Sequence, residues 1–235
     1  MHFTLDGVDS RTKGIYMMEP MDIMAAEEDM EFVDVPGRDG TLTIKKGGHK
    51  DIETDMECYI KDIAGIAEAY DFMRGSKRMV MSTNPNRAYK VTFTGVPQAG
   101  RLNKALAAWP IIVPVRLKPF RYFEPEPGVI TVVSSREQVT NPGTQDSAPR
   151  IAIEGSGDIT VTLNEKNAMA FSGIEGGLIV DSEKKNCYNL DGITRIFDDD
   201  KVDIEEFPML KPGVNYIEWT GKVSKITILP RWRDR

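Results

Sequence analysis

The sequence predicts a mainly β protein of two domains. The first is an N-terminal β-sandwich-like domain with one α-helix and a β-hairpin; the second is a jelly-roll or galectin-like β-sandwich. Three observations carry this expectation. Short segments with apolar residues at every second position recur along the chain. Only one segment shows the three-four apolar spacing of a helix. "EPEPG", Glu124 to Gly128, combines two prolines, two acids and a glycine and reads as an extended linker between residues 1–125 and 129–235.

The bulk numbers agree with two ordinary domains. The chain has 235 residues, 40% hydrophobic and 28% charged, a globular composition. A net charge of -6 argues against a general nucleic-acid-binding surface. No stretch approaches the ~18 apolar residues of a membrane span. "MHFTLDGVDS" lacks the basic start and apolar core of a secretory signal, so a soluble protein is expected. Cys58 and Cys187, with His2 and His49, make no spaced zinc motif. They read as two reduced, buried thiols made in a cytoplasm.

The elements follow in order. Val33, Val35, Leu42 and Ile44 alternate on either side of "PGRDG". Pro36-Gly37 suits a type II turn and Asp39-Gly40 a hairpin. In "DIETDMECYI", Ile52, Thr54, Met56, Cys58 and Ile60 share one face, while Asp51, Glu53, Asp55 and Glu57 share the other. Asp62 is a natural N-cap. The expected helical face is Ile63, Ile66, Ala67, Tyr70 and Met73, with Gly75 as the stop. "MVMSTNPNRAYKVTF" reads as strand, turn, strand, with Tyr89, Val91 and Phe93 alternating. In "AAWPIIVPVRLKPFRYF", Pro110 and Pro114 cannot donate to a ladder, which predicts an edge or bulged strand. After the linker the texture is almost purely β, with "NPGT", "GSGD", "EGG" and "KPG" as turns.

Chemistry is hard to assemble. His2 is terminal, and His49 sits in "KKGGHK", which reads as an exposed turn, so no histidine triad forms. There is no nucleophile elbow and no phosphate loop. The acids of residues 51–57 are the regular polar face of a strand. "FDDDKVDIEEF" (Asp198, Asp199, Asp200, Asp203, Glu205, Glu206) lacks EF-hand spacing and reads as an exposed acidic loop. Trp109, Trp219, Trp232, Tyr188 and Tyr216 could stack on sugars or fill a core, with the core favoured for Trp219. Met17, Met18, Met21 and Met24 could fill a core or form an adaptable contact surface. A hydrolase using paired acids and a two-domain carbohydrate-binding module remain as competing readings.

"VPGRDGTL", "HKDIETDMECYI", the single helix, "NRAYKVTFTG" and "WPIIVPVRLKPFRYF" together resemble the N-terminal domain of siphophage distal tail (Dit) proteins. "VTNPGTQDSAPRIAIEGSGDITVTLN", "IVDSEKKNCY", "FPMLKPGVNYIEWTG" and "ITILPRWR" resemble their second domain. The resemblance implies a structural, non-enzymatic protein of the virion tail tip, from a phage or prophage, assembled in the host cytoplasm. It implies a homo-hexameric ring that meets the tail tube, the tape measure and the tail-associated hub or lysin protein, with baseplate or receptor-binding proteins and host adhesion beyond. DNA would only pass through; neither cofactor nor metal is implied. On this reading Arg38 and Asp39 would dock into a neighbouring subunit, where the alternative is a plain strand connector. Asp51, Glu53, Asp55 and Glu57 would line the channel and repel phosphate.

Overall fold

The computed structural model describes residues 1–21, 25–95, 97–165, 167–190, 193–194 and 201–235. Contacts divide the chain into Met1–Pro125 with Arg235, and Glu126–Asp234. The fold is mainly β, and no described helix is long and apolar enough to cross a membrane.

The first unit contains β1 (Phe3–Leu5), β2 (Val8–Asp9), β3 (Ile15–Met17), β4 (Glu28–Asp34), β5 (Thr41–His49), β6 (Ile52–Ile60), β7 (Gly75–Met81), β8 (Arg87–Phe93), β9 (Gln98–Ala99) and β10 (Trp109–Phe123). All but β4 and β5 join one sheet, in the order β2-β1-β7-β8-β10-β6-β3, with β9 beside β10. The sheet rolls until its ends meet. The Met17 amide donates to the Met1 carbonyl at 3.1 Å, and the Met1 amino group donates to the Met17 carbonyl at 3.3 Å.

Period-two alternation fills the inside of this roll. Met56, Cys58 and Ile60 of β6 pack with Tyr89 and Val91 of β8 and Ile111, Val113 and Leu117 of β10. Each large side chain so buried contributes about 1.5–3 kcal/mol. Met17 and Met21 belong to this core and Met18 is half-buried; Met24 lies outside the described residues.

The helix is phased differently from the expectation. Asp62 caps it, its carboxylate accepting from the Ala64 amide at 2.9 Å. The first turn, Ile63–Gly65, is 3-10, and α1 proper is Ile66–Phe72. A 3-10 turn advances faster per residue than an α-turn, so Ile63 rotates out of line and is 40% exposed. The packed line is Ile66, Ala69, Tyr70 and Met73, while Ala67 faces solvent.

β10 is bulged, one of the two expected alternatives, and departs from the other. It is no edge: β6 flanks it on one side, β8 and β9 on the other. Its bulge lies between Leu117 and Arg121, around Pro119 rather than Pro110 or Pro114. A strand residue points its N–H and C=O to the same side. The Pro114 carbonyl accepts from Thr94 just past the end of β8, at 3.1 Å, and the Pro110 carbonyl from Gly100 just past β9, at 2.8 Å. Each missing N–H therefore falls where the neighbouring strand has stopped, which lets two prolines sit in a central strand.

The second unit contains β11 (Ile130–Val132), β12 (Glu137–Asn141), β13 (Arg150–Leu163), β14 (Asn167–Ile174), β15 (Gly177–Asp181), β16 (Asn186–Asn189), β17 (Val202–Ile204) and β18 (Gly213–Leu229). Two long strands serve both layers of its sandwich. The first half of β13 pairs with β15 and the end of β18, which also holds β11. The second half of β13 pairs with β14 and the start of β18, which holds β12. Register shifts near Glu154–Gly155 and Ser156–Thr160 mark the bend. There the two backbones approach so closely that a Cβ on Gly221 (φ +90) would lie 2.2 Å from the Asp158 carbonyl oxygen, and one on Gly155 2.4 Å from that of Lys222.

Candidate functional site

β4 and β5 form a two-stranded sheet of their own. They pair as Glu31 with Ile44, Phe32 with Thr43, Val33 with Leu42 and Asp34 with Thr41. The connecting turn is the type II turn that Pro36-Gly37 predicts. Gly37 has φ +81, and the Arg38 amide donates to the Val35 carbonyl at 3.1 Å. Arg38 and Asp39 stand exposed at the tip, and neither makes an ion pair among the described residues.

This ribbon has little core beneath it. Phe32 is 62% exposed, and Val35, Leu42 and Ile44 are exposed as well. A two-stranded ribbon is marginal in water, and so many apolar side chains in solvent mark a contact surface. "KKGGH" is not the turn the sequence suggests. It completes β5, with Gly47 at φ +79 in a bulge that places two extra residues opposite the Glu28–Met30 step. The bulge consumes the glycines that read as a turn. His49 accordingly pairs with Glu28 and meets the Phe120 ring edge-on at 5.3 Å.

The acidic strand is β6, and its faces divide as the alternation predicts, with Glu53, Asp55 and Glu57 exposed and Asp51 partly so. The neighbouring strand changes its electrostatics. β10 sets Arg116 opposite Glu53 and hydrogen-bonds it, and Lys118 holds Asp51 at 3.0 Å. Asp55 and Glu57 face Pro114 and Ile112 and form no ion pair among the described residues. With Glu19, Pro20, Met21 and Thr54 they border an open concavity of about 410 Å³. These pairings were invisible in the sequence, because they depend on the β6–β10 register.

The remaining candidates are structural or dispersed. Among the described residues, no group of three or more His, Cys, Asp or Glu is placed to hold a metal ion. Asp198, Asp199 and Asp200 lie outside the described residues, whereas Asp203, Glu205 and Glu206 are exposed. Trp232 and Tyr188 are buried, Trp109 and Trp219 half-buried, and Tyr216 43% exposed. Cys58 and Cys187 are free and buried; burial pushes their thiols up to about 12 and about 11. One pair went unread in the sequence. Arg231 grips the buried Asp181 carboxylate with two bonds, at 2.7 and 3.0 Å, across 50 residues of sequence.

No family model matches the chain, and no curated protein matches it. Among solved structures it is similar to the Dit protein (gp 19.1) of SPP1, described as a paradigm of the hub adsorption apparatus in phages that infect Gram-positive hosts. The TM-score is 0.70 at 14% sequence identity, and the match covers 97% of each chain. The two proteins share a fold along nearly their whole length.

Proposed function

We propose that the chain is a structural, non-enzymatic subunit of a siphophage tail tip. Copies of it form a ring, six by the family resemblance, between the tail tube above and the hub, baseplate or receptor-binding parts below. The observation that carries this reading is the ribbon Glu28–His49, an arm with exposed apolar side chains on a chain whose fold is that of a phage hub protein. Such an arm gains stability by lying on another molecule. A closed ring of one kind of subunit needs a heterologous contact of this kind. The first unit makes the ring contacts and the second serves as a platform for other tail proteins.

Two finer assignments belong to the proposal. The Arg38–Asp39 tip fixes the orientation of the arm against the next copy. Asp51, Glu53, Asp55 and Glu57 face the channel and keep DNA from sticking. Because Lys118 and Arg116 neutralise the first two, the repulsion rests chiefly on Asp55 and Glu57. The decisive experiment is light scattering with negative-stain imaging over a concentration series. Rings that appear with rising concentration in the wild type, and at higher concentration in Arg38→Ala, are the expected result. A monomer at every concentration would oppose the reading. Rings with the β6 carboxylates on their outer rim would remove the channel assignment alone.

A further inference from the structure

The sequence holds three Asp-Gly pairs, at 6–7, 39–40 and 191–192. In such a pair the aspartate carboxyl is open to attack by the amide that follows it, because glycine puts no side chain beside the nucleophile. Asp191 and Gly192 lie outside the described residues. The structure treats the other two pairs oppositely. Asp6-Gly7 is the two-residue turn of a hairpin, closed by the Leu5–Val8 pair. Both Asp6 carboxylate oxygens are held: Oδ1 accepts from the Arg78 amide at 2.8 Å, and Oδ2 pairs with Lys77 at 3.2 Å. The Asp6 amide donates to the Arg78 carbonyl at 2.8 Å. Asp39-Gly40 has no such support. The ladder of the arm ends at Asp34 and Thr41, and the bond from the Arg38 amide to Val35 stops one residue short of Asp39. Asp39 is exposed, and neither its carboxylate nor the Gly40 amide has a partner among the described residues. A Cβ on Gly40 would meet nothing within 4 Å, so the amide is open to its neighbour.

We propose that Asp39 is a site of spontaneous covalent modification, isomerising to isoaspartate in the free subunit, while the contacts of Asp6 protect it from the same reaction. The Gly40 nitrogen attacks the Asp39 side-chain carboxyl carbon. A C–N bond forms, and one carboxyl oxygen leaves as water with the amide hydrogen and a proton from solvent. The product is a five-membered succinimide. Water then adds to one imide carbonyl and breaks its C–N bond, returning the proton. Opening at the side-chain carbonyl restores aspartate; opening at the main-chain carbonyl leaves the chain running through the side chain as isoaspartate. One water is lost and one gained, so no oxidant or cofactor is needed. Ring closure requires the backbone at Asp39 to rotate, which costs least where no ladder bond holds it. The product keeps its carboxylate, so the charge of the tip is unchanged. The backbone there is one methylene longer, and any contact made through the tip meets a different shape. The inference stands whether or not the subunits form a ring.

The test ages the full chain at neutral pH, kept dilute so that the tip faces solvent. Isoaspartate is then labelled with an isoaspartyl methyltransferase and radioactive S-adenosylmethionine, and peptide mapping places the label. The expected result is label at Asp39 exceeding that at Asp6 by about tenfold or more, because Asp6 must first lose two hydrogen bonds and an ion pair. Asp39→Glu keeps the charge but would have to close a slower six-membered ring, so it should lose the label at this position. A parallel sample aged in urea separates structure from local sequence: there the two sites should label to a similar extent. No label at Asp39 in the native chain, or equal label at Asp6 and Asp39, would overturn the proposal. So would a difference that persists undiminished in urea, because the fold would then not be its cause.

Discussion

Arg231→Ala is expected to destabilise the second unit by about 3–5 kcal/mol, the cost of leaving a buried charge without its partner. The structure supports the upper part of that range. The Asp181 side chain is 2% exposed and that of Arg231 14%, so water replaces the guanidinium poorly. The amides of Glu183 and Lys184 still donate to the carboxylate, both at 3.2 Å, and the Lys184 charge still acts on it, but neither replaces the paired guanidinium. Urea unfolding followed by tryptophan fluorescence, with Trp219 and Trp232 in this unit, reads the loss. At a slope of about 2 kcal/mol/M the midpoint falls by roughly 1.5–2.5 M. The pH dependence gives a second reading. Burial pushes the Asp181 carboxyl up, but the hydrogen bonds and charge of Arg231, aided by the amide and charge of Lys184, outweigh it and hold it below its ordinary value. A lowered folded-state pKa adds stability above the unfolded value near about 4, and that increment vanishes as pH falls through the folded value. Without Arg231 the largest opposition to burial is gone, and Asp181 protonates at higher pH than in the wild type. The deficit of the variant is then largest near neutrality and shrinks in acid. A loss below about 1 kcal/mol near neutrality, or a deficit equal at about pH 4 and about pH 7, would refute the argument.

Three further outcomes are expected. Gly221→Ala places a Cβ 2.2 Å from the Asp158 carbonyl oxygen at φ +90, so it costs at least about 1–3 kcal/mol of strain and lowers the urea midpoint of the second unit. Asp62→Ala removes the bond to the Ala64 amide, costing about 1 kcal/mol in the denaturation of the first unit while the sheet signal in circular dichroism stays. Burial raises Cys58 to about 12 and Cys187 to about 11, so a thiol reagent at about pH 8 should label neither until denaturant is added.

Alternation made much of this fold legible. In β6 the buried Met56, Cys58 and Ile60 and the exposed Glu53, Asp55 and Glu57 follow from period two alone. The Pro36-Gly37 turn was legible because proline and glycine act through their own backbone. Features that failed to show depend on partners distant in sequence. Pro110 and Pro114 suggest an edge until the stopping points of β8 and β9 are known. The neutralisation of Glu53 by Arg116 needs the β6–β10 register. Arg231 and Asp181 lie on separate segments with no shared motif. The helix phase was missed for a local reason: a 3-10 first turn that the Ile63–Met73 pattern does not reveal.

The sharing of β13 and β18 between both layers of the second unit has a mechanical consequence. A sandwich whose layers are separate chains of strands can shear or peel open along its apolar seam. Here the covalent backbone crosses that seam twice, so a tug delivered to β11 or β15 travels through the bend into β12 and β14. The module yields as one piece or holds as one piece, a useful property in any part that passes tension from one attached body to another.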